Sequence, residues 1–205
     1  NSYVSYSLSD TAAHLTAVTG SSGILHLASA VSVTGTASAA DAHTILDSSA
    51  GNSKALVSVV DTGTNLANTS VITTADLAKL VSIVADADPS TAGNQGITAA
   101  QANAVLRNKA SGAAFTFNVL DSASNLSTAI GNTGSTDANA ATLASAGTVS
   151  VTATAATAEQ AKNLAKITVT GGYTVTDTAA LLTTSTTVGL SDLAKATTVK
   201  VTSGT

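Results

Sequence analysis

The chain has 205 residues, 44% apolar and 10% charged, with five aromatic residues in all, so a sizeable core is affordable only if it is built from Ala, Val, Leu and Ile. Its net charge is −4 with eight Lys and Arg, too few cations to neutralise a run of phosphates or to hold an anionic membrane surface, which argues against nucleic acid as a partner. The absence of Cys excludes disulfides and thiolate metal sites, and no apolar run approaches the ~20 residues of a membrane span, so no membrane insertion is expected.

In chain order, the first element is YSLSDTAAHL, Tyr6 to Leu15, an alternating apolar strand that runs into Asp10 and then into small residues and a Leu. It returns as VSVVDTGTNL (Val57 to Leu66), FNVLDSASNL (Phe117 to Leu126) and YTVTDTAALL (Tyr173 to Leu182). The aspartates Asp10, Asp61, Asp121 and Asp177 each read as the cap of the helical turn that follows, and their recurrence every 50 to 60 residues points to repeated supersecondary units.

Between these copies lies a second strand type: VSVTGTA (Val31 to Ala37), VSIVADA (Val81 to Ala87), VSVTATA (Val149 to Ala155) and VKVTSGT (Val199 to Thr205). After the first three of these the chain carries helix starts in which a hydroxyl precedes a carboxyl or amide by three residues: Ser38 with Asp41, Thr98 with Gln101, Thr157 with Gln160. Before each second-type strand a short Leu-Ala element recurs, at Leu27, Leu77, Leu143 and Leu193, and reads as a last helical turn. Two longer intervals locate turn-rich insertions at Asp86 to Gly96 and Ile130 to Ala140.

Strand centres at Leu8, Val33, Val59, Ile83, Val119, Val151, Val175 and Val201 recur about every 25 residues, the length of a leucine-rich-repeat-like coil. The expected fold is therefore an α/β solenoid, a stack of about eight parallel strands with short helices on the opposite side, with an all-β solenoid with helical turns as the alternative. Residues 1–205 are expected to form a single repeat domain, a segment of a longer repeat protein. In that stack Tyr6, Val31, Val57, Val81, Phe117, Val149, Tyr173, Val199 and Val201 would point inward beside the strand centres. On the outer face Val60, Val84 and Leu120 would fall together and offer a lateral contact.

The alternation of YSLSDTAAHL and YTVTDTAALL with VSVTGTASAADA and VSVTATAATAEQA resembles the repeat units of very long secreted bacterial proteins of the surface-layer-like, RTX-type or adhesin-like kind. The resemblance implies an extracellular or cell-surface location and a structural or adhesive role. No GGxGxDxxx nonapeptide occurs, so the calcium site of the RTX class is not carried over.

The candidate chemistry is sparse. Same-type aspartates two coils apart would lie ~10 Å from one another, too far to share a calcium ion, and a helix cap explains each of them better; the loop acids Asp86 and Asp88 are the better calcium candidates. None of His14, His26 and His43 has a partner at a spacing that fixes a triad, Gly171-Gly172 precedes a strand rather than opening a helix, and five aromatics cannot line a sugar-cleaving cleft. The hydroxyl-rich outer strand positions would suit glycan or ice, but Val60, Val84, Leu120, Asn118 and Lys200 interrupt them. The sequence thus leads to a non-enzymatic structural module that forms scaffold, lattice or filament by self-association or with further repeats. A ligand- or glycan-binding adhesin module comes second and a carbohydrate-active enzyme third. No catalytic residue, metal ligand or cofactor is assigned.

Overall fold

The computed structural model describes residues 5–19, 23–49, 55–90, 95–109, 113–131, 138–152, 155–184 and 188–202. The first copy of the repeat gives β1 (Ser7–Asp10), α1 (Ala12–Ala17), α2 (Ile24–Leu27), β2 (Ala30–Val33) and α3 (Ala39–Ser48). The second gives β3 (Ala55–Leu56), β4 (Ser58–Thr62), α4 (Gly63–Ala67), α5 (Thr74–Leu77), β5 (Ser82–Asp86) and α6 (Ala99–Asn108). The third gives β6 (Ala114–Phe117), β7 (Val119–Asp121), α7 (Ala123–Gly131), α8 (Ala138–Ala144), β8 (Val149–Val151) and α9 (Ala158–Leu164). The fourth gives β9 (Thr174–Thr178), α10 (Ala179–Thr183), α11 (Leu190–Leu193) and β10 (Thr198–Thr202).

By its internal contacts the chain groups into two compact units, Asn1–Gln95 with Ala104–Phe117, and Gly96–Asn103 with Asn118–Thr205. In the first unit two parallel sheets run in the orders β1-β2-β3 and β4-β5-β6. Strand alternation buries Val31, Val59 and Ile83 completely, and the helices add Leu25, Ile45, Leu46, Leu66 and Leu77, each no more than 1% exposed. Phe115 and Phe117 stack with ring centroids 4.5 Å apart, the one aromatic pair among the described residues. In the second unit the parallel pairs are β7-β8 and β9-β10, and the core is Ile97, Val119, Leu126, Leu143, Leu164 and Val175. At about 1.5–3 kcal/mol for each fully buried branched side chain, these aliphatic layers supply the driving force that large rings give elsewhere.

The solenoid expectation is overturned. Ten strands among the described residues fall into four separate sheets of two or three, not into one stack of about eight, and eleven helices rule out the all-β alternative as well. The physical reason lies in the first-type strand, which breaks in the middle. In the second copy Val57 separates β3, which pairs with β2, from β4, which pairs with β5; the Val57 carbonyl goes to the Val81 N–H. In the third copy Asn118 separates β6 from β7 and gives its carbonyl to the Ile97 N–H. Isolated parallel bridges, Ala37 to Val59, Ile97 to Val119 and Ala156 to Val175, seat the residue just before Ser38, Thr98 and Thr157 beside the strand.

Inward assignments differ in the same places. Val81 is 50% exposed, Val199 41% and Val201 63%, although their alternation with polar neighbours marks them as core positions. Of the two expected insertions, residues 91–94 and 132–137 lie outside the described residues; Ile130 belongs to α7 and Ala138 to Ala140 belong to α8. Among the described residues no helix is long and apolar enough to cross a membrane.

Candidate functional site

The recurring polar constellation is built around the repeated aspartates. They do not cap the helix that follows them: that place is taken by the next residue, Thr11, Thr62, Ser122 or Thr178, whose hydroxyl accepts from the backbone N–H three residues on, at 3.4, 3.1, 3.1 and 3.4 Å. This leaves the carboxylate free to reach elsewhere.

Asp61 is 7% exposed, and its two oxygens divide the work. Oδ1 accepts from the Thr62 N–H at 2.6 Å and from Asn65 Nδ2 at 2.9 Å, while Oδ2 accepts from the N–H of Ala39 at 2.8 Å, 22 residues back at the first position of α3. Asp121 repeats this, with Ser122 N at 2.8 Å, Asn125 Nδ2 at 2.7 Å and Ala99 N, at the start of α6, at 3.0 Å. Asp177 takes Thr178 N at 2.8 Å and Ala158 N, at the start of α9, at 3.0 Å; Leu181 stands where Asn65 and Asn125 stand and offers it no donor.

The first-turn amides of a helix have no partner inside the helix, and a negative charge there is favoured by the aligned peptide dipoles. In α3, α6 and α9 the N1 amide is met by the aspartate of the following strand. The N3 amide is met by the hydroxyl of Ser38, Thr98 or Thr157, at 3.1, 3.2 and 3.3 Å. Gln101 and Gln160 return the bond to the Thr98 and Thr157 N–H groups, whereas Asp41 accepts from the Ser38 hydroxyl instead. Each carboxylate thus ties a helix to the strand after it.

Asp10 forms the local half of the clasp, accepting from Thr11 N at 2.7 Å and pairing with His14 Nδ1 at 2.9 Å. The Thr11 amide first, then His14, holds its carboxyl below the ordinary carboxylate value. His43 Nδ1 lies 2.8 Å from Asp76 Oδ2, between α3 and α5. Asp76 is 4% exposed and closes a reciprocal box with Thr73 at the start of α5. The signal for it is the Thr-x-x-Asp spacing before Leu77, which the reading of that stretch as a last helical turn passes over. His26 is placed in the last turn of α2.

The other expected sites are dispersed. Val60 and Val84 face each other across β4 and β5, but the next residue in that row is Thr116; Leu120 is in register with Ser150 of β8, so the three do not form one patch. The cause is the extra strand β6, which takes the place beside β5 expected for the run around Val119. Asp86 is buried and accepts from the Gln95 N–H at 2.8 Å and the Asp88 N–H at 3.2 Å. Among the described residues no group of three or more His, Asp or Glu gathers that could hold a metal ion.

A cavity of about 340 Å³ in the second unit is bordered by Leu143, Val149, Ile167 and Thr170 with Lys166 and Lys195. Lys195 Nζ donates to the Ala165 carbonyl and Lys166 Nζ to Asn163 Oδ1, so both ammonium groups serve the C-terminal end of α9. The Tyr173 hydroxyl is buried with no hydrogen-bond partner, and burial first, then the Asp192 charge, pushes its phenol above the ordinary value. Its counterpart Tyr6 donates to the Ile24 carbonyl at 2.7 Å. Compared with protein-family models, with curated proteins and with solved structures, the chain matches none.

Proposed function

We propose that the chain is a non-enzymatic structural module of a secreted bacterial cell-surface or extracellular-matrix protein, acting as scaffold, lattice or filament material through contacts with further repeats or with copies of itself. The observation that carries this reading is the use to which the recurring charged group is put. Asp61, Asp121 and Asp177 each spend both carboxylate oxygens on backbone amides of their own chain, joining a helix start to a strand 19 to 22 residues later. A charge recurring with the repeat, and consumed in holding it together, is what selection for a durable building block would retain.

Two further features support the reading. The Ser-, Thr- and Ala-rich repeats resemble those of long secreted surface proteins, and Val199 and Val201 of β10 are open to contact. Antibodies raised against the chain test the location: intact cells that make it should label at the surface, and label confined to the cytoplasm would overturn the proposal. Electron micrographs of the isolated protein should show ordered multimers. Saturable binding to one acidic or neutral sugar on a glycan array, by dispersed monomers, would assign an adhesive role instead.

A further inference from the structure

The strand register allows the four copies of the repeat to be compared position by position. Val31, Ile83, Val149 and Val199 are the partners of Leu8, Val59, Val119 and Val175, and they are 0%, 0%, 4% and 41% exposed. The partners of the four aspartates are Val33, Ala85, Val151 and Val201, and Val201 alone of the four is exposed, at 63% against 8% or less for Val33 and Ala85. The first helical residue after the capping hydroxyl is buried as Ala12, Gly63 and Ala123 and exposed as Ala179.

In the first three copies a helix of one type lies against the post-aspartate helix. α1 packs on α3, α7 packs on α9, and Asn108 of α6 donates to the Ala67 carbonyl of α4. These covering helices share their chemistry: a Ser or Thr N-cap, and an inner face of small and aliphatic residues such as Ala39, Ala42 and Ile45 or Ala158, Ala161 and Leu164, all 0% exposed. Among the described residues no such helix covers α10 and β10.

We propose that the face made by Ala179, Val199 and Val201 is a docking site for a hydroxyl-capped, alanine-faced helix of the α3, α6 and α9 type. The inference rests on reading the chain as a repeat module. The face is shaped for that occupant because its residues keep the identities that accept such a helix in the other copies: a small residue at the helix start and two β-branched residues on the strand, which let a helix of alanines approach closely.

The test extends the full chain after Thr205 by a copy of its own Ser38–Ser49 sequence, so that the hydroxyl N-cap follows Val201 by the same five residues that separate Ser38 from Val33. Amide exchange measured by NMR should slow at least tenfold in α10 and β10, and Ala179→Glu or Val201→Lys in the extended chain should restore the original rates. Both substitutions sit at exposed positions, so folding is retained and is checked by circular dichroism. Unchanged exchange on extension would overturn the proposal. Protection that instead appears in the unextended chain as its concentration rises, with a matching rise in mass by ultracentrifugation, would give the face to a second copy and overturn the helix as its occupant. Failure of the extension with surface labelling intact removes this docking site alone, while loss of surface labelling removes the module reading beneath it.

Discussion

Replacing Asp61 by Ala removes one acceptor group from three donors. The Ala39 N–H is buried, and an orphaned buried donor costs about 1–3 kcal/mol; Thr62 N and Asn65 Nδ2 are half-buried and recover part of their bonding from water, at about 0.5–1 kcal/mol each. The expected loss is about 3 kcal/mol, well above the ~1 kcal/mol of an ordinary exposed cap, and Asp121→Ala should match it because its geometry is the same. Asp61→Asn keeps a single acceptor oxygen, so it satisfies either the Thr62 and Asn65 pair or Ala39 and should lose roughly 2 kcal/mol. Asp10→Ala should cost least of the four aspartates, since its partners are the exposed Thr11 amide and His14. Urea unfolding followed by circular dichroism measures the series. A loss within 0.5 kcal/mol for Asp61→Ala, or equal losses at Asp10 and Asp61, would refute the reasoning.

Tyr173→Phe removes a buried hydroxyl that has no partner and should raise stability by about 1 kcal/mol by thermal unfolding; a loss of that size would show that the hydroxyl is bonded. Because the folded phenol titrates above its ordinary value, near 10, the unfolded chain ionises first and the protein should lose stability as pH rises beyond about 10, a loss that Tyr173→Phe abolishes. Gly172→Ala should destabilise by at least 1–2 kcal/mol, because φ is 73° and a Cβ there would lie 2.3 Å from Thr197 Oγ1; retained stability would refute the contact. Chelation by EDTA should leave the melting temperature unchanged, since N–H donors already engage both carboxylate oxygens of Asp61, Asp121 and Asp177; a drop would restore calcium to those turns.

Periodicity in the sequence locates the strands around Leu8, Val59, Val119 and Val175 and the capped helices at Ser38, Thr98 and Thr157, because both signals are local: alternation by two, and a hydroxyl three residues before an amide. Sheet membership is not local. Whether Ala55–Leu56 and Ser58–Thr62 form one strand or two depends on which neighbours accept their hydrogen bonds, and nothing in the identity of Val57 announces the break. The clasp was half legible. The recurring Asp is plain, but its principal partner lies about 20 residues upstream and is a backbone amide of alanine, which leaves no mark in the sequence. The Val60, Val84 and Leu120 grouping fails for the same reason as the stack: it presumed that consecutive strand runs are neighbours, and the Ala114–Phe117 strand intervenes.

The claim that the repeated carboxylates hold helix starts to strands is tested most directly by amide hydrogen exchange at Ala39, Ala99 and Ala158. First-turn amides lack an intrahelical partner and ordinarily exchange fast. In this chain all three should be protected at least a hundredfold over unstructured peptide, and protection at Ala39 should vanish in Asp61→Ala while Ala158 keeps its own. Fast exchange at all three in the unaltered protein would contradict the account.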